Sequence, residues 1–259
     1  MTLRYALMDP TGNRTILVET PVAEEAQPVV AASLMKLEPT AEQVGFLSRS
    51  EGCDISLRMA GGEFCGNAAM SAAAYYGIHT GLSKEQLTLR VSGATEPVTV
   101  QITARPEGRW QGIVQMPRPS SIETVPFSTG QAFPVVSFPG ISHVILEQEL
   151  PRAEAEKLAR RWCDELGVEA LGLMFLDRNT GRLTPLVYVP AADTLFWESA
   201  CGSGSAAVGA WLAQRRGAKI TVSLQQPGGV LEITAAPDGS LLLTGTVMRI
   251  YEKTAAVKP

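Results

Sequence analysis

Gly61-Gly62-Glu63-Phe64-Cys65-Gly66-Asn67-Ala68-Ala69 returns, altered, as Trp197-Glu198-Ser199-Ala200-Cys201-Gly202-Ser203-Gly204-Ser205. Each stretch sets Cys-Gly at the head of a small-residue run that reads as a helix, over 68–76 and 205–213. Matched features extend outward from both in the same order. Upstream, Thr11 to Glu19 answers Gly140 to Glu147, each a turn feeding a short apolar run that ends on Glu. Glu42 to Leu47 answers Glu169 to Leu176. Downstream, Leu87 to Val91 answers Ile220 to Leu224, and Val98 to Thr103 answers Val230 to Thr234. Pro106-Glu107-Gly108 and Pro237-Asp238-Gly239 then turn the chain into the strand-like runs 111–116 and 241–250. One match could be chance, but an ordered series points to a duplication over roughly 11–118 and 134–250. Pro117-Arg118-Pro119-Ser120-Ser121 reads as a linker between the copies. Period-two patterning dominates, so each copy is expected to be a strand-rich α+β domain. One further amphipathic helix is expected per copy; in the second it spans 153–166, with Ala155, Leu158, Ala159 and Trp162 on one face.

Composition narrows the class. The 259 residues carry 22 Lys+Arg against 26 Asp+Glu, and 45% are hydrophobic, which suits a globular chain. The slightly acidic balance and the absence of a basic run argue against nucleic acid and anionic membrane surfaces as partners. No apolar stretch approaches the ~18 residues a membrane span requires. The first nine residues lack the basic and apolar regions of a signal peptide, so a cytoplasmic location with reduced thiols is expected. Four cysteines are too few for a disulfide scaffold. Two histidines and no C-x-x-C spacing give little to bind a metal, and no metal or cofactor is expected.

Duplication makes Cys65 and Cys201 equivalent, and two related domains can present equivalent residues to opposite sides of a cleft. Each precedes a helix N-terminus, where unpaired N–H groups and the helix dipole favour negative charge. Such a position is expected to lower a thiol pKa toward neutrality and to hold a carboxylate. Those properties suit inversion at a carbon: one thiolate takes a proton from one face while the opposing thiol supplies one to the other. The developing carbanion of an amino acid would be stabilised by the helix ends on its carboxylate. Cys53 and Cys163 have no counterparts and read as small buried hydrophobes.

On these residues the chain resembles the diaminopimelate epimerase-like superfamily of cofactor-independent amino-acid racemases and epimerases. The features that carry the resemblance are the turn Met8 to Asn13, Cys65-Gly66-Asn67, Gly140 to His143, and Ala200-Cys201-Gly202-Ser203-Gly204. The resemblance implies an α+β fold of two pseudo-symmetric halves, each a mostly antiparallel sheet or barrel wrapped around a central helix. The halves would be 1–118, carrying Cys65, and 119–247, carrying Cys201, with the tail from about 248 packing back on the first. Cys65 and Cys201 would be the acid–base pair where the halves meet. Gly66, Asn67, Gly202 and Ser203 would hold the α-carboxylate, while Asn13 and His143 would line the cleft.

The departures bear on substrate. Diaminopimelate epimerases follow the first motif with Gly-Ala-Arg, where this chain has Ala68-Ala69-Met70, and they place Glu-Arg before the second cysteine, where this chain has Glu198-Ser199. Losing that guanidinium removes the bidentate partner of a distal carboxylate. Glu63 and Glu198 stand alike before the two cysteines and suit an α-ammonium group or an imidazole. With Val187-Tyr188-Val189-Pro190 upstream, the Trp-Glu-Ser-x-Cys-Gly-Ser-Gly form is most like that of histidine racemases. The expected function is therefore an isomerase acting on a free amino acid, most like histidine. Two alternatives stay open: a diaminopimelate epimerase with an altered distal pocket, and a non-catalytic binder or thiol redox sensor. A homodimer is left open as the assembly.

Overall fold

The computed structural model describes residues Met1–Val257. Two compact units emerge among the described residues: Met1–Gln115 with 244–257, and Met116–Leu243. The first contains strands β1 (Thr2–Pro10), β2 (Thr15–Val18), β3 (Gln43–Ser48), β4 (Ile55–Met59), β5 (Lys84–Val91), β6 (Val98–Ala104) and β7 (Arg109–Met116). Its helices are α1 (Gln27–Leu37), between β2 and β3, and α2 (Gly66–Thr80), between β4 and β5. The second unit contains β8 (Ser121–Pro126), β9 (Ala132–Phe138), β10 (Ile141–Leu146), β11 (Leu171–Asp177), β12 (Arg182–Val189), β13 (Thr194–Trp197), β14 (Ile220–Gln226) and β15 (Gly229–Ala235). There α3 (Arg152–Leu166) lies between β10 and β11, and α4 (Gly202–Arg216) between β13 and β14. The chain leaves this unit along β16 (Leu241–Ala256), whose later residues pair antiparallel with β1 from Thr2↔Ala256 to Pro10↔Val247.

The same series of pairings occurs in both units. β2 and β3 run parallel across α1, β3 and β4 antiparallel, and β4 and β5 parallel across α2. In the second unit β10 and β11 run parallel across α3, β11 and β12 antiparallel, and β12 and β14 parallel across α4. A helical crossover returns the chain in its original direction, and a short turn reverses it, so the sheets are mixed. In the first unit the order β1-β2-β3-β4-β5-β6-β7-β16 closes through β16 and β1 into an eight-stranded barrel.

α2 packs against β1, β2, β4, β5 and β6, and Ala68, Ala69, Ala72, Ala73 and Ala74 are completely buried. A helix buried on all sides has no polar face, and small side chains let strands approach its backbone. α4 has the same character, with Ala206, Ala207, Val208 and Ala213 fully buried. Both helices start at the glycine after the cysteine and end at a left-handed glycine, Gly81 or Gly217, so each is longer than its apolar core suggests. α1 and α3 belong to other clusters. Val30, Ala31 and Leu34 of α1 join Tyr5, Leu7, Ile16 and Val44, while Ala155, Ala159 and Trp162 of α3 join Val144, Leu146, Leu171 and Leu173.

Two local expectations need correction. The linker read as 117–121 gives way to β8 at Ser121, which pairs with β9 through a turn at Gly130. β8 has no buried side chain, so it lacked the alternation that marks a strand. β13 was also unforeseen; it pairs with β12 and brings Trp197 onto Phe175, ring centroids 5.7 Å apart. No helix among the described residues is long and apolar enough to cross a membrane.

Candidate active site

Cys65 and Cys201 are the N-caps of α2 and α4. Both are extended, with φ/ψ of −133°/113° and −108°/109°. In each, the sulfur accepts the backbone N–H three residues on: Ala68 N at 3.4 Å and Gly204 N at 3.3 Å. A thiol thus occupies the place that Ser or Asp usually takes in capping a helix. Gly66 and Asn67, and likewise Gly202 and Ser203, are the first two residues of their helices.

Cys65 meets an amide side chain. Its thiol donates to Gln43 Oε1 at 3.1 Å. Gln43 Nε2 donates to Asn13 Oδ1 and Thr15 Oγ1, both at 2.7 Å, and Asn13 Nδ2 donates to Glu42 Oε2 at 2.6 Å. Asn13 therefore reaches the thiol through Gln43. Glu63 is exposed on the loop before Cys65, where its backbone oxygen accepts from Ser92 Oγ at 2.8 Å.

Cys201 is more enclosed, at 4% exposure. Its sulfur lies 3.5 Å from Ser203 Oγ and is hydrogen-bonded to Glu198. The expected lowering of its pKa is overturned: burial pushes this thiol well above the ordinary value, with the charge and hydrogen bond of Glu198 adding to the rise. Ser203 and the Gly204 N–H act in the opposite sense and are outweighed, because desolvation of a thiolate exceeds what one helix end returns. The backbone here is clamped. Cys201 N donates to Gln226 Oε1 at 2.8 Å, Gln226 Nε2 donates to Ser205 Oγ at 2.8 Å, and that hydroxyl donates to the Cys201 carbonyl at 2.7 Å.

His143 stands apart from the thiol contacts. It lies on β10 opposite Gly172 of β11, fully buried, with neither ring nitrogen hydrogen-bonded within the protein. Burial holds its pKa down to about 3, so it is neutral. A Cβ on Gly172 would clash with its Nδ1 and lie 2.8 Å from Met174 Cε, while one on Gly204 would clash with Met174 Sδ and lie 3.2 Å from Cys201 Sγ. Met174 therefore packs between the histidine and the start of α4, and glycine at both positions makes room for it. The first unit has Leu17 opposite Gly45 at the corresponding pairing. Cys163 is buried on α3, where desolvation raises its pKa. Among the described residues, no three His, Cys, Asp or Glu side chains gather as metal ligands would.

Sequence reasoning missed Gln43, Glu42, Thr15, Gln226 and Ser205. Their one signal was polarity within apolar runs: Gln43 stands where the second copy has Ala170.

A family model, the histidine racemase CntK N-terminal domain, matches residues 2–247. A histidine racemase of Staphylococcus aureus is 29% identical over 247 residues, covering 90% of this chain and 88% of the relative. One from Fusobacterium nucleatum subsp. nucleatum is 28% identical over 262 residues, covering 96% and 95%. Among solved structures, a Pseudomonas aeruginosa protein described as a predicted epimerase matches with a TM-score of 0.73 at 18% identity, over 99% of this chain and 100% of that one. A hydroxyproline epimerase from Agrobacterium vitis, with bound trans-4-hydroxy-L-proline, matches with a TM-score of 0.68 at 10% identity, over 100% and 93%. These two likenesses concern the fold. With its model spanning nearly the whole sequence, the chain belongs to the histidine racemase CntK N-terminal domain family and is an isomerase of the racemase type.

Proposed function

We propose that the protein is a histidine racemase that inverts the α-carbon without a cofactor, with Cys65 and Cys201 as acid and base on opposite faces. The observation that carries this reading is the shared N-cap geometry of the two cysteines within one repeated series of strand pairings. The two units would then be pseudo-symmetric halves, each built on its cysteine-capped helix, and the thiols would meet across the cleft between them. A reducing compartment such as the cytoplasm fits four free cysteines.

In the reaction, one cysteine as thiolate takes the α-proton: the C–H bond breaks, an S–H bond forms, and the electron pair passes into the carboxylate as an enediolate. The opposite thiol then gives its proton to the other face and becomes the thiolate. The N–H groups at the starts of α2 and α4, with Ser203, would bind the carboxylate as its charge grows. Because Cys201 is buried, its proton needs a nearby acceptor, and the Glu198 carboxylate is hydrogen-bonded to it. Glu63, exposed on the loop before Cys65, would meet the substrate's ammonium or imidazole. Ser199 offers no guanidinium for a second carboxylate, which favours histidine over diaminopimelate. His143 is neutral and would serve the walls of the site without changing charge.

Incubation of the reduced protein with L-histidine, followed by chiral chromatography, tests the reading. D-histidine should accumulate to equal amounts. Conversion of LL-diaminopimelate to the meso isomer with no action on histidine would replace the reading with the epimerase. Alkylation without turnover of any common amino acid would leave the thiol sensor.

A further inference from the structure

The amides behind Cys65 have their polarity fixed from the far end. Glu42 as a carboxylate only accepts hydrogen bonds, so Asn13 must turn Nδ2 toward it, at 2.6 Å. Asn13 Oδ1 then faces Gln43 and accepts from its Nε2 at 2.7 Å. The second Nε2 hydrogen goes to Thr15 Oγ1, whose own proton is committed to the Asn13 carbonyl at 3.1 Å. With both N–H bonds used, Gln43 has only Oε1 left for the cysteine, and Sγ lies 3.1 Å from it. Thr15 is fully buried and Asn13 nearly so, which resists reversal of the chain.

An acceptor oxygen stabilises S–H and is repelled by a thiolate. We infer that Glu42, Asn13 and Thr15 act through Gln43 as a positioning relay that holds Cys65 as a protonated thiol, poised to deliver a proton, in the resting enzyme. The inference rests on the reading of Cys65 as an acid–base group and names the residues that set its resting state. The Ala68 N–H, donating to the sulfur at 3.4 Å, works against the relay from the helix side. The charged groups set around this position are Glu42, Glu63 ahead of the cysteine, Arg58 beside Gly62, paired with Glu24, and Arg14 paired with Asp9 in the turn before β2.

The test is the rate of iodoacetamide alkylation at Cys65 against pH, read by peptide mass spectrometry on the whole reduced protein. Glu42→Gln frees Asn13 and Gln43 to turn, so that Nε2 can face the sulfur. The midpoint should fall by about one pH unit, raising the rate at pH 7 by up to about tenfold. Thr15→Val, which removes the second acceptor, should shift it in the same direction by less. In a Gln43→Leu background Glu42→Gln should add nothing, whereas a simple through-space charge effect would persist. An unchanged midpoint in both single variants, or a shift that survives Gln43→Leu, overturns the relay. Alkylation needs no substrate, so these outcomes are separate from any failure to racemise histidine.

Discussion

Cys65 and Cys201 occupy the same backbone position and have opposite surroundings. Both sulfurs cap a helix from an extended residue, yet one thiol points at a neutral amide oxygen and the other at a carboxylate. Cys65 is partly exposed, and the thiol at Cys201 is buried and pushed well above its ordinary pKa. The backbone geometry sets where a thiol stands, while its side-chain partners, Gln43 of β3 for Cys65 and Glu198 of the preceding loop for Cys201, set what it does with its proton. A helix N-terminus alone was expected to acidify both, and at Cys201 desolvation wins.

The comparison can be broken most sharply at the sulfurs. Cys65→Ser and Cys201→Ser should each lower histidine racemisation by about 10³-fold, the scale of losing a positioned acid or base. Cys53→Ser should leave it unchanged in the same chiral assay. Glu198→Gln should lower the pH midpoint for alkylation of Cys201, because it removes a charge that raises the pKa, and should leave the Cys65 midpoint in place.

A smaller effect centres on His143, the buried ring opposite Gly172. A histidine held neutral with a pKa of about 3 contributes stability that is complete above the unfolded value of about 6.5. That contribution is lost as pH falls from there toward 3, by up to about 1.4 kcal/mol per unit. His143→Leu should therefore flatten the acid limb of denaturant-measured stability below pH 6.5; an unaltered limb would show that the ring is hydrogen-bonded and titrates normally. At alkaline pH the sign reverses. A thiol whose folded pKa is raised contributes fully below the unfolded value and loses that contribution as pH climbs above about 9. Cys201→Ala should reduce the loss of stability between pH 9 and 10 by up to about 1.4 kcal/mol.

The repeated order of elements was legible because it is written in features that local physics makes visible: Cys-Gly before small residues, Pro-x-Gly turns and alternating apolar runs. Both capped helices, the amphipathic α3 and the segments forming β5, β6, β14 and β15 could be placed from those signals. β8 could not, since an exposed strand carries no apolar period, and β13 was too short to show one. The candidate site divides in the same way. Cys65 and Cys201 are marked by their neighbours in sequence, whereas Gln43 and Gln226 gain their roles from strand register, which brings them to a helix start 22 and 25 residues away in the chain. His143 was legible as a residue and not as an environment: its pairing with Gly172 and the intervening Met174 exist only once β10 and β11 are side by side.

The central claim is that two cysteines divide the work of inversion, and the early partition of deuterium tests it directly. L-histidine is converted in D2O and stopped after a small fraction has reacted. If separate groups remove and deliver the proton, the D-histidine formed should carry deuterium at the α-carbon and the remaining L-histidine should still carry protium. Deuterium appearing equally in unreacted L-histidine, or protium retained in the D-histidine, would mean that a single group handles both faces and would contradict the account.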